Sequence, residues 1–157
     1  PGFEHRIGGL EKEDETGVVS YDGENHTKMV ALRAGKIARI AMDVPPAEAV
    51  GAERGEVLVV GWGSSYGAIA AAVEEMHSEG HRVAHLHLRY LNPLPRNVGE
   101  VLERFARVLV VEANCGQLKT ILRDHFTASF FPFNKVDGRP FLIRGVRTAI
   151  QELLSRE

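Results

Sequence analysis

From Glu56 onward short apolar runs alternate with amphipathic stretches, and this alternation constrains the fold more than any other feature of the chain. Residues 57–61 form an almost continuous apolar run bounded by Gly61, the pattern of a strand buried on both faces. The stretch 65–78 then places Ile69, Ala72, Val73 and Met76 at spacings of 0, 3, 4 and 7, one face of a helix, with Gly80 near its C-cap. A second strand is expected over 82–88, and the loop with Pro93 and Pro95 leads into a helix whose buried stripe is Val98, Val101, Leu102 and Phe105. A third strand over 108–111 ends at Glu112, and a helix over 117–125 buries Leu118, Ile121, Leu122 and Phe126. An irregular aromatic stretch over 130–138 precedes a short strand at 141–143. A terminal helix then carries Val146, Ala149, Ile150, Leu153 and Leu154. Strands that alternate with helices in this way argue for an α/β fold with a mainly parallel sheet covered on both faces.

The first third of the chain reads differently. Residues 1–23 scatter Gly2, Gly8, Gly9, Gly17 and Gly23 among charges and show no sustained period, which predicts an arm. Residues 25–42 turn helical, with Val30, Ala34, Ile37 and Ala41 on one face and Lys28, Arg33, Lys36 and Arg39 interspersed. Pro45 and Pro46 stop that helix, and 45–55 reads as a linker. The expected division is therefore an arm, helix and linker over 1–55 and a domain over 56–157. The chain opens at Pro1 and not at an initiator methionine, as expected of a cleavage product or a piece of a larger subunit.

Charge and cysteine content narrow the chemistry. With 19 basic against 21 acidic side chains the net charge is -2, so nothing favours nucleic acid or an anionic membrane. No apolar run reaches the length of a membrane span and no signal segment opens the chain, so a cytoplasmic location is expected. Cys115 is the only cysteine, which excludes an internal disulfide and any four-thiolate zinc site or ordinary iron–sulfur cluster held by this chain alone.

Two loops stand out as candidate ligand or interface sites. Gly61-Trp62-Gly63-Ser64-Ser65-Tyr66-Gly67 joins a strand to a helix through a glycine-rich turn whose backbone N–H groups could cradle an anion. Its G-x-G-x-x-x-G spacing is one residue longer than the dinucleotide fingerprint. With Arg89 at the end of the next strand, an NADP-type reading uses Gly61, Gly63, Gly67 and Arg89. The alternative is a tight turn at an interface, with Ser64 or Ser65 as N-cap. The second loop, Glu112-Ala113-Asn114-Cys115-Gly116-Gln117, also follows a strand; Glu112 and Asn114 could bind a neighbour, or serve the helix that starts there. His85 and His87 face one side of their strand at the i, i+2 spacing a metal can use, yet no third ligand stands at a supporting spacing, so no metal site is expected. Walker, nucleophile-elbow and H-E-x-x-H motifs do not occur.

Five stretches in order carry a resemblance: the charged arm and basic helix of 1–40, then VLVVGWGSSYGAI, VAHLHLRYLNPLP, VLVVEANCGQL and FNKVDGRPF. Together they resemble the C-terminal region of the alpha subunit of 2-oxoacid:ferredoxin (acceptor) oxidoreductases, of the 2-oxoglutarate type. The resemblance implies a three-layer α/β/α sandwich on a mixed, mainly parallel sheet, like the C-terminal domain of transketolase. It also implies a parent complex that decarboxylates a 2-oxoacid on thiamine diphosphate, passes the acyl group to coenzyme A and sends electrons to ferredoxin. In that family the diphosphate-Mg²⁺ domain and the cluster cysteines belong to the beta subunit, the expected partner of this chain. The region seen here is thus expected to hold no catalytic residue and to bind none of these cofactors by itself. Asp22-Gly23 stands where the family commonly has Asp-Pro, a departure that would loosen the turn before the first helix. The arm from His5 to Tyr21 could reach an active site between subunits. A free-standing nucleotide-binding domain and a pure interaction module remain as alternatives.

Overall fold

A computed structural model describes residues 2, 4 and 8–156, and these form two compact units, one up to Asp43 and one from Val44. In the first unit, helix α1 (Gly23–Arg39) runs into a single 3-10 turn, Ile40–Met42. Asp22 caps it: its carboxyl accepts the N–H groups of Glu24 at 3.3 Å and Asn25 at 3.1 Å. A side chain thus holds the turn before α1. The arm is more structured than its composition suggests, with Lys12 bridged antiparallel to Val19. Glu11 fastens it to α1, its two oxygens accepting from Arg33 at 3.0 and 2.9 Å, and Asn25 Nδ2 donates to the Lys12 carbonyl at 2.9 Å. The Arg33 guanidinium, helped by the Lys12 N–H, holds the Glu11 carboxyl down at about 2. His5, where the arm's expected reach begins, lies outside the described residues.

The second unit is built on a five-stranded sheet of order β1-β3-β2-β4-β5, with β1 (Ala49–Gly51), β2 (Gly55–Trp62), β3 (Val83–Leu88), β4 (Phe105–Glu112) and β5 (Phe130–Asn134). Only β1 is antiparallel. Helices α2 (Tyr66–Ser78) and α5 (Ile143–Leu154) cover one face, and α3 (Val98–Leu102) and α4 (Gln117–His125) the other. Because side chains alternate along a strand, Val57 and Val59 of β2 pack with Ile69, Met76 and Ile150, while Leu58 and Val60 pack with Val101, Leu118 and Leu122. This is the expected three-layer α/β/α sandwich on a mixed, mainly parallel sheet.

Four expectations about elements need correction. The segment read as linker contains β1, which owes its strand conformation to pairing with β3 (Val50 opposite His85) and not to its own Ala- and Gly-rich composition. Phe105 is not on a helix: α3 ends at Leu102, and Phe105 opens β4 opposite Gly55, still buried in the core that α3 lines. The aromatic stretch forms β5, with Pro132 tolerated because this is an edge strand. No strand forms at 141–143, since Lys135 Nζ occupies the carbonyls of Arg139 and Pro140 at 3.1 and 2.8 Å and Ile143 already begins α5.

Gly61 sits where β2 meets the turn into α2. A Cβ there would collide with Ile69 Cδ1 and lie 2.7 Å from Ser65 Oγ, both fixed by burial. Gly61→Ala is therefore expected to destabilise the fold by about 1–3 kcal/mol, read as a lower urea midpoint at unchanged m-value.

Candidate functional site

The chain crosses from β2 to β3 on one side of the sheet and then returns to β4 on the other, so the carboxyl ends of β2 and β4 flank a topological switch point. A crevice of about 310 Å³ lies there, lined by Trp62, Gly63, Ser64 and Ser65 from one loop and by Ala113, Asn114 and Gln117 from the other. The two loops singled out in the sequence thus share one site. Gly63 has φ +58, a conformation that favours glycine. Ser65 does not cap α2 with its side chain; its hydroxyl donates to the Trp62 carbonyl at 2.8 Å and closes the turn.

Glu112 and Asn114 are committed to the start of α4. Glu112, 1% exposed, accepts the N–H groups of Leu118 at 2.6 Å and Lys119 at 3.0 Å. Asn114 Oδ1 accepts those of Gly116 at 2.7 Å and Gln117 at 2.9 Å. The positive end of α4 is therefore neutralised from within, which leaves that terminus without the free donors an anion would need. Gly116, at φ +99, lets Asn134 at the end of β5 approach; a Cβ there would lie 3.1 Å from its amide nitrogen. Cys115 is exposed beside these groups.

A second crevice, of about 430 Å³, shares Ser64 and Ala113 with the first and is walled by the loop after β5, with Lys135 and Arg139. Neither basic residue was singled out in the sequence. Both lie in the K-V-D-G-R-P-F stretch, whose basic residues could have been the signal, but only the parallel pairing of β5 with β4 brings them beside Ser64.

Arg89 directly follows Leu88, which pairs with Trp62, and it lines a cleft with Tyr66, His85 and His87 over β1 and β3; it is not among the residues that line the crevice at Gly63. His85 and His87 do share a face, and Tyr66, also missed in the sequence, meets both rings edge-on at 5.6 and 5.0 Å between centroids. Among the described residues no group of three or more His, Cys, Asp or Glu side chains could hold a metal. Burial holds both imidazoles below their usual range, assisted for His85 by His87 and for His87 by Arg89.

A three-layer α/β domain with a small antiparallel edge and a switch-point crevice defines the transketolase C-terminal-like class. A split-gene transketolase has this fold, with a TM-score of 0.55 at 17% identity over 71% of this chain and 42% of its own. The chain belongs to the pyruvate:ferredoxin oxidoreductase core domain II family, whose profile matches residues 55–146, more than half its length. It is 43% identical to the 2-oxoglutarate oxidoreductase subunit KorA of Mycobacterium tuberculosis over 99% of this chain and 24% of that protein. With subunit alpha of 2-oxoacid:ferredoxin oxidoreductase 1 of Aeropyrum pernix it shares 40% identity over 71% of this chain and 19% of the other. The structure of 2-oxoglutarate:ferredoxin oxidoreductase from Magnetococcus marinus, with 2-oxoglutarate, coenzyme A and succinyl-CoA bound, superimposes with a TM-score of 0.86 at 26% identity, covering 97% of this chain and 27% of that one. The chain thus spans about a quarter of the length of the relatives it matches.

Two outcomes follow from the geometry. Glu112→Ala leaves the Leu118 and Lys119 N–H groups without their acceptor, and a loss of about 2–3 kcal/mol in urea unfolding is expected. Because His85 and His87 bind protons less readily folded than unfolded, their contribution to stability is complete above their unfolded pKa and is lost as pH falls below it. Unfolding free energy should therefore decline between about pH 7.5 and about pH 5.5. A His85→Asn, His87→Asn double variant should show a shallower decline over the same interval.

Proposed function

We propose that this chain is an accessory domain of the alpha subunit of a thiamine-diphosphate-dependent 2-oxoacid:ferredoxin oxidoreductase. Its parent complex converts a 2-oxoacid, coenzyme A and oxidised ferredoxin to an acyl-CoA, CO₂ and reduced ferredoxin, with 2-oxoglutarate as the substrate type. The observation that carries this reading is near-complete coverage of the chain by a 2-oxoglutarate oxidoreductase subunit at 43% identity. Likeness of fold alone would not carry a function, so the reading rests on the sequence match and its particulars on the site.

The residues here do not fit the reaction's metal centres. Cys115 is the only cysteine and the described residues contain no cluster of metal-binding side chains, so Mg²⁺ and iron–sulfur chemistry are assigned to the rest of the complex, with the beta subunit as partner. The domain's own contribution is assembly and active-site support. Its switch-point crevice, with Gly63, Ser64, Ser65, Asn114 and Gln117 held on rigid turns, offers a preformed surface to a neighbouring domain or to the distal part of a bound cofactor. No helix among the described residues is long and apolar enough to cross a membrane, and a cytoplasmic location is part of the proposed reading.

The test is reconstitution of the full-length alpha subunit with its beta chain, assaying reduction of a viologen or ferredoxin that depends on both 2-oxoacid and coenzyme A. Activity that needs both chains, with none from residues 1–157 alone, is expected. Turnover by this chain alone, or none by a cofactor-replete complex, would overturn the reading.

A further inference from the structure

The cleft over β1 and β3 takes no part in the switch-point crevice, and its construction points to a buried contact. It measures about 390 Å³. Its floor is His85, only 5% exposed, together with His87, whose Nδ1 atom is buried and has no hydrogen-bond partner. One wall is the segment around Pro45, Pro46 and Ala47. Asn97 pins that wall through two bonds to Ala47, accepting its N–H at 2.7 Å and donating to its carbonyl at 2.8 Å. A wall held by both ends of one amide is a formed groove, not a loose loop.

Around this groove the second helical layer stops short. Helices α2 and α5 cover the same sheet face over β2 and β4, but toward β1 the face is left with Val50 59% exposed and Tyr66 50% exposed, and Tyr90 at the rim 46% exposed. The charged groups at the groove, Glu48 and Arg89, are of opposite sign, so no large net field favours a charged ligand. A buried nitrogen without a partner is costly, and a half-covered aromatic and valine surface gains from removal from water.

We propose that this end of the sheet seats another segment of the same longer polypeptide, which sets a backbone amide or hydroxyl against His87 Nδ1 and covers Val50 and Tyr66. The occupant is argued from length: a relative matching 99% of this chain is about four times as long, so most of such a subunit lies outside residues 1–157. Burial that disfavours protonation of both imidazoles suits contact with a neutral segment. The inference rests on the reading of the chain as part of an alpha subunit.

Hydroxyl-radical footprinting of the intact alpha subunit, read by peptide mass spectrometry against the urea-unfolded subunit, tests it. Tyr66 and Tyr90 are expected to be protected many-fold, at every protein concentration and after exhaustive dialysis. In the intact subunit Val50→Arg should restore labelling of Tyr66. Labelling of wild-type Tyr66 and Tyr90 in keeping with half-exposed rings would overturn the proposal. So would protection that fades on dilution, which would assign the groove to a second copy, or protection lost on dialysis, which would assign it to a small molecule. A Val50→Arg subunit with unchanged protection would overturn it too. Because the footprint is read on the subunit whether or not the complex turns over a 2-oxoacid, failure of this inference and failure of the enzymatic reading are distinguishable.

Discussion

The structure of the second unit depends on the burial of β2. Val57, Leu58, Val59 and Val60 are all fully buried, and each is worth roughly 1.5–3 kcal/mol relative to exposure. Because the strand is flanked on both sides by parallel neighbours and covered on both faces, its residues knit the two helical layers into one core. Its neighbours are placed with respect to it: β3 and β4 by register, α2 by the turn at Gly61, and α5 through Val146, Ile150 and Leu153 against the same face. Arg147 on α5 adds a polar tie to Glu75 and Glu79 of α2 at the rim of that layer.

The candidate site is a by-product of this arrangement. Central strands that separate toward opposite edges leave a gap at their carboxyl ends, and the loops that leave them must pass over it. Here the loop after β2 is tightened by Ser65 and that after β4 by Asn114, with Glu112 beneath as a buried acceptor for α4. The polar groups most eye-catching in the sequence are therefore largely spent on holding the loops. What remains for a partner is the rigid shape of the crevice together with Ser64, Gln117 and the basic loop after β5. Rigid turns of this kind suit a supporting domain, whose task in a larger assembly is to present a fixed surface.

How much of this was legible in the sequence can be judged residue by residue. The apolar run of β2 and the helical spacing of Ile69, Ala72, Val73 and Met76 were readable because each pattern recurs over several positions and the core satisfies it fully. Phe105 misled because its spacing from Val101 and Leu102 continues a helical stripe, while pairing with Gly55 draws it into β4 without altering the core it joins. Strands β1 and β5 were illegible for a related reason: short edge strands have little periodicity of their own and take their conformation from a neighbour.

The two candidate loops could be named from sequence, since glycine-rich and Asn-bearing segments after strands have local reasons to be turns. That they face each other across one crevice, joined by Lys135 and Arg139, could not. The sequence by itself determined the class of fold, the helices that cover the sheet, the absence of a thiolate-held cluster and the family resemblance, because these follow from local periodicity, composition and short motifs. Only the tertiary structure decided the strand order, the meeting of the two loops at one crevice and the half-covered groove over His85 and His87. Those depend on which strands pair and in what register, and such pairings join residues far apart in the chain through backbone hydrogen bonds that no local pattern encodes.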